Sequence, residues 1–331
     1  MKIFPLTLLG CLAFALSSTA SADVPLLTLN LKQTTVSGLS SGGYMAAQFQ
    51  LAHADWVKGA AIVAAGPVYC AQNNLLTALD HCINKITSPI PLAELTRQLK
   101  DWSAQGLLAS EAEIKQSKIW LLHGTADQKI TKQVADTLYQ QYQEWLPATQ
   151  LSYVQDKNFA HHMPTLSEGS ACNSSEAPFL GNCNYDAAGE ALKFIQADLK
   201  APATQSSGTV YPIQQQKIAG QLAATMAEQG YVYVPKSCEQ GQSCTLHISF
   251  HGCNQHADAV GMAYVEKAGF NRYADSNNIV VLYPQTRASN LMPMNPQACW
   301  DWWGYTDANY ANRKGQQIQA VVKLVQSLSS K

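Results

Sequence analysis

The stretch Gln33-Thr34-Thr35-Val36-Ser37-Gly38-Leu39-Ser40-Ser41-Gly42-Gly43-Tyr44-Met45 decides the fold. Residues 33–37 predict a short β-strand, residues 38–42 match G-x-S-x-G, and residues 43–52 predict a helix. A sharp strand-to-helix turn brings neighbouring backbone so close that only glycine fits at the flanking positions. The turn would lift the Ser40 hydroxyl to the helix N-terminus, whose dipole favours a developing oxyanion. Ser40 is therefore predicted to be a nucleophile; the alternative is a glycine-rich turn without chemistry.

Strands and helices alternate along the rest of the chain. Such alternation is typical of the α/β class with a mostly parallel, doubly wound sheet. Residues 200–217 are rich in Ala, Pro, Thr, Ser and Gln and are predicted to form a linker or surface connection. The pattern predicts further strands at 60–65, 119–123, 151–155, 231–235, 246–250 and 279–283, and helices at 131–145, 187–199 and 314–328.

The composition of the 331 residues is that of a folded globular protein. The formal net charge is −1, hydrophobic residues make up 47% and charged residues 14%. This balance does not indicate the basic surface that binds nucleic acid. No stretch after residue 22 reaches the roughly 18 apolar residues that a membrane span needs. We expect a monomer.

The first 22 residues have the pattern of a signal peptide. Lys2 supplies the basic start, residues 3–16 form a short apolar core, and Ala20-Ser21-Ala22 fits the small-residue cleavage rule. The mature chain is then expected to begin at Asp23 and to act outside the cytoplasm, either in the extracellular medium or in a periplasm. The alternative is a buried N-terminal helix.

Eight of the nine cysteines lie beyond the predicted signal peptide, which contains Cys11. An even number of cysteines in an exported chain favours disulfides. No CxxC pair or closely spaced Cys/His quartet is present, so a zinc site is not expected. Short local loops favour the pairs Cys70–Cys82, Cys172–Cys183 and Cys238–Cys244, which leaves Cys253–Cys299.

A serine nucleophile needs a base, and the base needs an orienting acid. In the α/β-hydrolase fold these follow the serine in the order acid, then histidine. Asp127 stands just past the strand predicted at 119–123, at the carboxyl edge where sites form in such sheets. Asp127 could instead cap the following helix. His161 or His162, which follow the strand predicted at 151–155, is expected to be the base.

The oxyanion of the tetrahedral intermediate needs two N–H donors. One is expected from Ser41, which follows the nucleophile, and the other normally comes from a loop that precedes it. Nothing in residues 23–37 can supply that loop, but residues 248–253 form a predicted strand that runs into a His-Gly loop. This order predicts a circular permutation, in which residues 228–329 supply the early strands of a single catalytic domain. The Cys253 N–H is the second donor candidate.

These residues together resemble the single-domain, circularly permuted poly(3-hydroxybutyrate) depolymerases of the α/β-hydrolase superfamily. The resemblance implies that Ser40, Asp127 and His161 form a catalytic triad. It also implies that Ser41 and Cys253 donate to the oxyanion. The motifs that carry the resemblance are residues 38–45, residues 122–127, His161 with Pro164-Thr165, residues 251–253 and residues 299–305.

The family commonly has glycine before the catalytic histidine, where this chain has Ala160, and His162 follows. Alignment on Pro164-Thr165 favours His161, and His162 stays an alternative. The resemblance implies a serine esterase that hydrolyses polyhydroxyalkanoate or its oligomers through an acyl-enzyme, without a metal or organic cofactor. The alternatives are an exported esterase for feruloyl or acetyl esters and a non-catalytic binding protein on the same fold.

A tryptophan cluster offers the best candidates for substrate contacts. Flat aromatic faces bury a large area at low entropy cost and can grip an aliphatic polyester. Ordinary core packing is the alternative, since aromatic residues this close together cannot all point the same way. The candidates are Trp300, Trp302, Trp303 and Tyr305.

Overall fold

The computed structural model describes residue 1, residues 24–196 and residues 198–329. The described residues contain eleven strands, of which eight build a central sheet and three build a small one. The strands are β1 (Thr34–Leu39), β2 (Val57–Val63), β3 (Lys118–Leu122), β4 (Leu151–Val154), β5 (Met163–Thr165), β6 (Ser170–Ala171), β7 (Leu180–Asn182), β8 (Thr209–Gln214), β9 (Gln229–Val234), β10 (Thr245–Phe250) and β11 (Ile279–Tyr283).

Helices connect these strands and cover both faces of the central sheet. Three short 3₁₀ helices, at Leu31–Gln33, Ala148–Gln150 and Gly220–Ala223, accompany them. The α-helices are α1 (Ser41–Ala52), α2 (Leu75–His81), α3 (Leu92–Ala104), α4 (Glu111–Ile114), α5 (Lys132–Gln143), α6 (Ala187–Ile195), α7 (Gln215–Ala219), α8 (Lys236–Glu239), α9 (Ala257–Val260), α10 (Ala263–Lys267), α11 (Phe270–Asn277) and α12 (Gln316–Leu328).

The central sheet has the order β4-β3-β2-β1-β10-β11-β9-β8. The six strands from β4 to β11 run parallel, and β9 and β8 continue the sheet antiparallel. The architecture is that of an α/β-hydrolase, as predicted. In a parallel sheet the helical crossovers lie on both faces, so the strands are buried on each side.

Strand β3 shows how the two faces divide the core. Ile119 and Leu121 point to a core shared with α1, α3, α5 and α12. Trp120 and Leu122 point to the opposite core, shared with α6, α10 and α11. This division follows from the two-residue period of a strand. All four side chains are buried, which is why the strand reads as a continuous apolar run.

The two ends of the described chain meet beside the sheet. The Leu27 N–H donates to the Leu328 carbonyl at 3.0 Å, and Leu27 and Ser329 form a parallel β-bridge. The first strand, β1, lies between β2 and the late strand β10. This closeness of the chain ends is the arrangement that a circular permutation requires. Residues 228–329 supply three of the four strands on the β10 side of β1, namely β9, β10 and β11, while β8 comes from residues 209–214.

The prediction of a surface connection over residues 200–217 is wrong for its second half. Residues 209–214 form β8, which pairs antiparallel with β9, and α7 begins at Gln215. Pro212 lies within β8, opposite Tyr231. Proline is tolerated there because β8 is the edge strand and pairs on one side only. Most of β8 is exposed or half-buried, so its sequence carries little apolar signal.

The four predicted disulfides, Cys70–Cys82, Cys172–Cys183, Cys238–Cys244 and Cys253–Cys299, are present in the structure. The predicted signal peptide, apart from Met1, lies outside the described residues, and so does Cys11. Across the described ranges, no helix combines the length and the apolar character that a membrane crossing requires.

Candidate active site

Ser40 lies at a tight turn between β1 and α1, with φ 56° and ψ −120°. Two close backbone approaches make this turn possible. A Cβ atom on Gly38 would lie 2.0 Å from the Gly42 carbonyl oxygen, and one on Gly42 would lie 2.2 Å from the Phe250 carbonyl oxygen. A side chain at either position would force the backbone apart. The two motif glycines are therefore required by contact, as the sequence predicts.

Hydrogen bonds hold the turn on both sides of Ser40. Its N–H donates to the Val63 carbonyl at the end of β2 (2.9 Å), and its carbonyl accepts from the Tyr44 N–H in the first turn of α1 (2.9 Å). A non-glycine residue at positive φ is strained and persists only where its surroundings fix it. These contacts fix Ser40 at the carboxyl edge of the sheet.

Asp127 lies in the loop after β3, and its side chain is buried. Its Oδ1 accepts from the N–H groups of Lys129 (2.7 Å) and Ile130 (3.0 Å). Its Oδ2 contacts His161 Nδ1 at 2.8 Å. Burial alone would raise the pKa of the carboxyl, but the hydrogen bond and charge of His161 and the two N–H donors together hold this pKa below its ordinary value. Asp127 is thus an ionised partner for an imidazole.

His161 and His162 lie in different environments. The Nε2 atom of His162 contacts the Cys172 carbonyl at 2.7 Å, and its ring packs directly against Gly181. Burial holds the pKa of His162 below its ordinary value. His161 instead contacts Asp127 and lines the same cavity as Ser40. This geometry favours His161 over His162 as the base.

The loop that carries His161 is braced by its neighbours. The Ala160 N–H donates to the Cys172 carbonyl at 3.0 Å, and the Ser175 hydroxyl donates to the His161 carbonyl at 2.9 Å. The Sγ atoms of Cys172 and Cys183 lie close to His162. They are joined to each other in a disulfide, so they are not thiolates free to bind a metal.

The predicted oxyanion donors come from two adjoining segments. Gly42 packs against the carbonyl groups of Phe250 and His251, which brings the start of α1 against the loop after β10. Within the described residues, the N–H groups of Ser41 and Cys253 have no backbone or side-chain acceptor. Both residues line the cavity that contains Ser40. Two free donors beside a serine are the arrangement that an oxyanion needs.

His251 fixes the loop that carries Cys253, the second candidate donor. Its Nε2 lies 3.2 Å from the Thr286 N–H and accepts from it, so its Nδ1–H donates to the Gly252 carbonyl at 2.7 Å. The Gly252 N–H donates to Gln255 Oε1 at 2.8 Å. Complete burial lowers the pKa of His251 to about 3, which keeps the ring neutral. The role of Thr286 was not apparent from the sequence, because its partner His251 lies 35 residues away in another loop.

An open cavity of about 690 Å³ contains Ser40 and His161. Apolar side chains form much of its wall, and amide groups and backbone supply the polar parts. Such a lining suits a largely uncharged ligand. The apolar residues of the wall are Leu39, Leu75, Leu79, Ile83, Ile130, Phe179, Trp302 and Trp303.

Sequence comparison places the chain among proteins of known activity. A polyhydroxybutyrate depolymerase from Talaromyces funiculosus is 35% identical over 333 residues, and the match covers 96% of each chain. The chain belongs to the polyhydroxybutyrate depolymerase family. A poly(3-hydroxybutyrate) depolymerase from Delftia acidovorans is 38% identical over 318 residues, which cover 94% of this chain but only 62% of the relative. A scan against family models finds no match.

Structure comparison agrees with this family. The crystal structure of the PHB depolymerase from Penicillium funiculosum superposes with a TM-score of 0.86 at 34% identity, and covers 93% of this chain and 100% of that one. A serine-to-alanine variant of a PHB depolymerase in complex with an R3HB trimer gives the same TM-score, identity and coverage.

Two of the four residues predicted to make aromatic substrate contacts line the cavity, and two do not. Trp302 stacks on Tyr44 with ring centroids 4.9 Å apart, and Trp303 lies beside it. Trp300 has no exposed surface and packs against Phe250 at 5.0 Å, away from the cavity. The prediction of a substrate contact is therefore not supported for Trp300, because its ring belongs to the core.

Tyr305 is half-buried and does not line the cavity. Its hydroxyl contacts Asn295 Nδ2 at 3.1 Å and Gln317 Nε2 at 2.7 Å. Asp301, which sequence reasoning missed, shapes this segment by accepting from the N–H groups of Gly304 (2.7 Å) and Tyr305 (3.0 Å). Burial raises the pKa of Asp301, although these hydrogen bonds oppose the rise. Asp301 also accepts from the Trp303 N–H at 3.3 Å, and the Tyr305 ring lies 4.7 Å from the Trp303 ring, so both residues contact Trp303.

Proposed function

We propose that this chain hydrolyses the ester bonds of poly(3-hydroxybutyrate) or its oligomers through an acyl-enzyme on Ser40. The observation that carries the proposal is the 2.8 Å contact between His161 Nδ1 and the buried Asp127 carboxylate, in a cavity shared with Ser40. Family membership supports the choice of a polyester as substrate.

The geometry supports the following reaction. His161 takes the Ser40 proton as Oγ attacks the ester carbonyl, while Asp127 holds the imidazole in the required tautomer and stabilises its cation. The N–H groups of Ser41 and Cys253 bind the oxyanion. His161 then gives the proton to the alcohol oxygen as the C–O bond breaks. Water, activated by the same histidine, attacks the acyl carbon and releases Ser40 and the acid.

The cavity supports an aliphatic ester as substrate. Trp302 and Trp303 offer flat apolar surfaces near Ser40, and such surfaces match the methyl and methylene groups of a hydroxyalkanoate chain. A related depolymerase has been crystallised with an R3HB trimer. Four disulfides are typical of an oxidising compartment, which supports export of the protein.

A comparison of two substrates tests the proposal. Purified protein is incubated with a suspension of amorphous poly(3-hydroxybutyrate) and, separately, with a soluble feruloyl ester. We expect the suspension to clear with release of 3-hydroxybutyrate or its oligomers. Turnover of the feruloyl ester without clearing would contradict the polyester proposal while keeping the hydrolase mechanism.

A further inference from the structure

The wall of the active-site cavity carries a single lysine. Among the described residues that line it, Lys129 is the only lysine, arginine, aspartate or glutamate. Its side chain is exposed at the cavity. No described carboxylate lies within ion-pair distance of its ammonium. Lys129 thus presents an unneutralised positive charge to whatever occupies an otherwise uncharged cavity.

The backbone of Lys129 is fixed relative to the catalytic groups. Its N–H donates to Asp127 Oδ1 at 2.7 Å, and the other oxygen of that carboxylate contacts His161. The neighbouring wall braces the same loop, since Asn84 Nδ2 donates to the Gln128 carbonyl at 3.4 Å. The ammonium therefore extends from an anchored backbone on the Asp127–His161 side of the cavity.

A polyester of 3-hydroxybutyrate has a charge at one end only. Its repeating esters are neutral, one end is a hydroxyl, and the other end is a carboxylate at neutral pH. We propose that Lys129 binds the free carboxylate end of 3-hydroxyalkanoate oligomers and so makes the enzyme favour cleavage near that end. This inference rests on the proposed function.

The chemistry of cleavage places that carboxylate on the correct side. When the Ser40 Oγ–C bond forms and the ester C–O bond breaks, the acyl fragment on Ser40 keeps the hydroxyl end of the chain. The leaving alcohol keeps the carboxylate end, and its oxygen takes the proton from His161. Since Lys129 is anchored beside the Asp127–His161 pair, its charge lies near the departing fragment. Cleavage of ester bonds far from the carboxylate end is not favoured by Lys129.

Two matched substrates isolate this charge effect. Initial rates are measured on the 3-hydroxybutyrate trimer and on its methyl ester, which lacks the carboxylate, with wild type, Lys129→Ala and Lys129→Arg. Lys323→Ala, an exposed lysine on α12, is the control. For Lys129→Ala we expect KM for the acid trimer to rise about three- to tenfold with little change in kcat, as for loss of one partly exposed charged contact. Lys129→Arg should restore the lower KM.

The methyl ester and ionic strength complete the test. We expect the methyl-ester KM and its pH profile to be the same in wild type and Lys129→Ala, and added salt to raise KM for the acid trimer in wild type but not in Lys129→Ala. An equal rise on both substrates, a shifted pH profile on the methyl ester, or no change on either would overturn the inference. Failure of wild type to cleave the trimer, its methyl ester and the polymer would instead overturn the proposed function, and the inference with it.

Discussion

The Cys253–Cys299 disulfide should support both stability and catalysis, whereas Cys238–Cys244 should support stability alone. Cys253 is the proposed source of an oxyanion donor, and the bridge ties its loop to the segment before Trp300. The Cys238–Cys244 bridge lies beyond the cavity wall, between α8 and the start of β10. Replacing each pair by alanine therefore separates the two effects.

The size of each stability loss follows from the closed loop. Cys253 and Cys299 are 46 residues apart, and Cys238 and Cys244 are 6 apart. If a disulfide acts mainly by restricting the unfolded chain, these separations correspond to about 4 and about 2 kcal/mol of unfolding free energy at 25 °C. The loss of kcat in Cys253→Ala/Cys299→Ala has an upper bound, since removing one oxyanion donor completely costs about 10²- to 10³-fold in kcat.

The loss for Cys253→Ala/Cys299→Ala should be smaller than that bound, because His251 and Gln255 still hold the loop. We expect kcat on a soluble short-chain ester to fall at least about tenfold. Unfolding is followed in denaturant, and kcat is measured where both variants are folded. Equal kcat values in the two double variants would refute the link between this bridge and the oxyanion donor.

Three further predictions concern the catalytic groups. His161→Ala should lower kcat about 10⁴-fold or more. His162→Ala should lose stability, because its contact with Cys172 is lost, but should keep kcat within about tenfold. Steady-state kinetics and a thermal melt compare the two variants, and a larger loss of kcat in His162→Ala would make His162 the base. Asp127→Asn should lower kcat about 10⁴-fold, as the imidazole loses its tautomer. The folded-state pKa of Asp127 is depressed, so its contribution to stability is fully present above the unfolded-state pKa of about 3.9 and is lost as the pH falls through the folded-state pKa. The unfolding free energies of wild type and Asp127→Asn should therefore converge as the pH falls through the folded-state pKa. A difference that stays constant with pH would contradict an ionised Asp127. Gly42→Ala should lower both stability, by about 1–3 kcal/mol, and activity, because its Cβ would meet the Phe250 carbonyl; an unchanged melt and rate would contradict the close approach.

The placement of the candidate site residues could be predicted from sequence, because each belongs to a short motif in the turn or loop that follows a strand. The turn at Ser40 is defined by its glycines, and Asp127 lies in the loop that follows β3. The permuted strand order could also be predicted, because the candidate oxyanion loop at Cys253 has no counterpart before Ser40. These features depend on the order of elements along the chain, which a sequence displays.

Features that depend on the direction of a side chain could not be predicted from pattern or spacing, and only the family resemblance favoured His161 over His162. His161 and His162 are adjacent, and only the fold shows that one faces Asp127 and the other Cys172. Trp300 and Trp302 lie two residues apart in an irregular segment, so periodicity does not assign them to core or cavity. In each case long-range packing decides the outcome.

The central claim is that Ser40 is the nucleophile in hydrolysis of a polyester. It is tested most directly by clearing of an amorphous poly(3-hydroxybutyrate) suspension, with wild type and a Ser40→Ala variant of matched circular dichroism. We predict clearing with release of 3-hydroxybutyrate oligomers by wild type alone. Clearing by the Ser40→Ala variant at a rate near that of wild type would contradict the account.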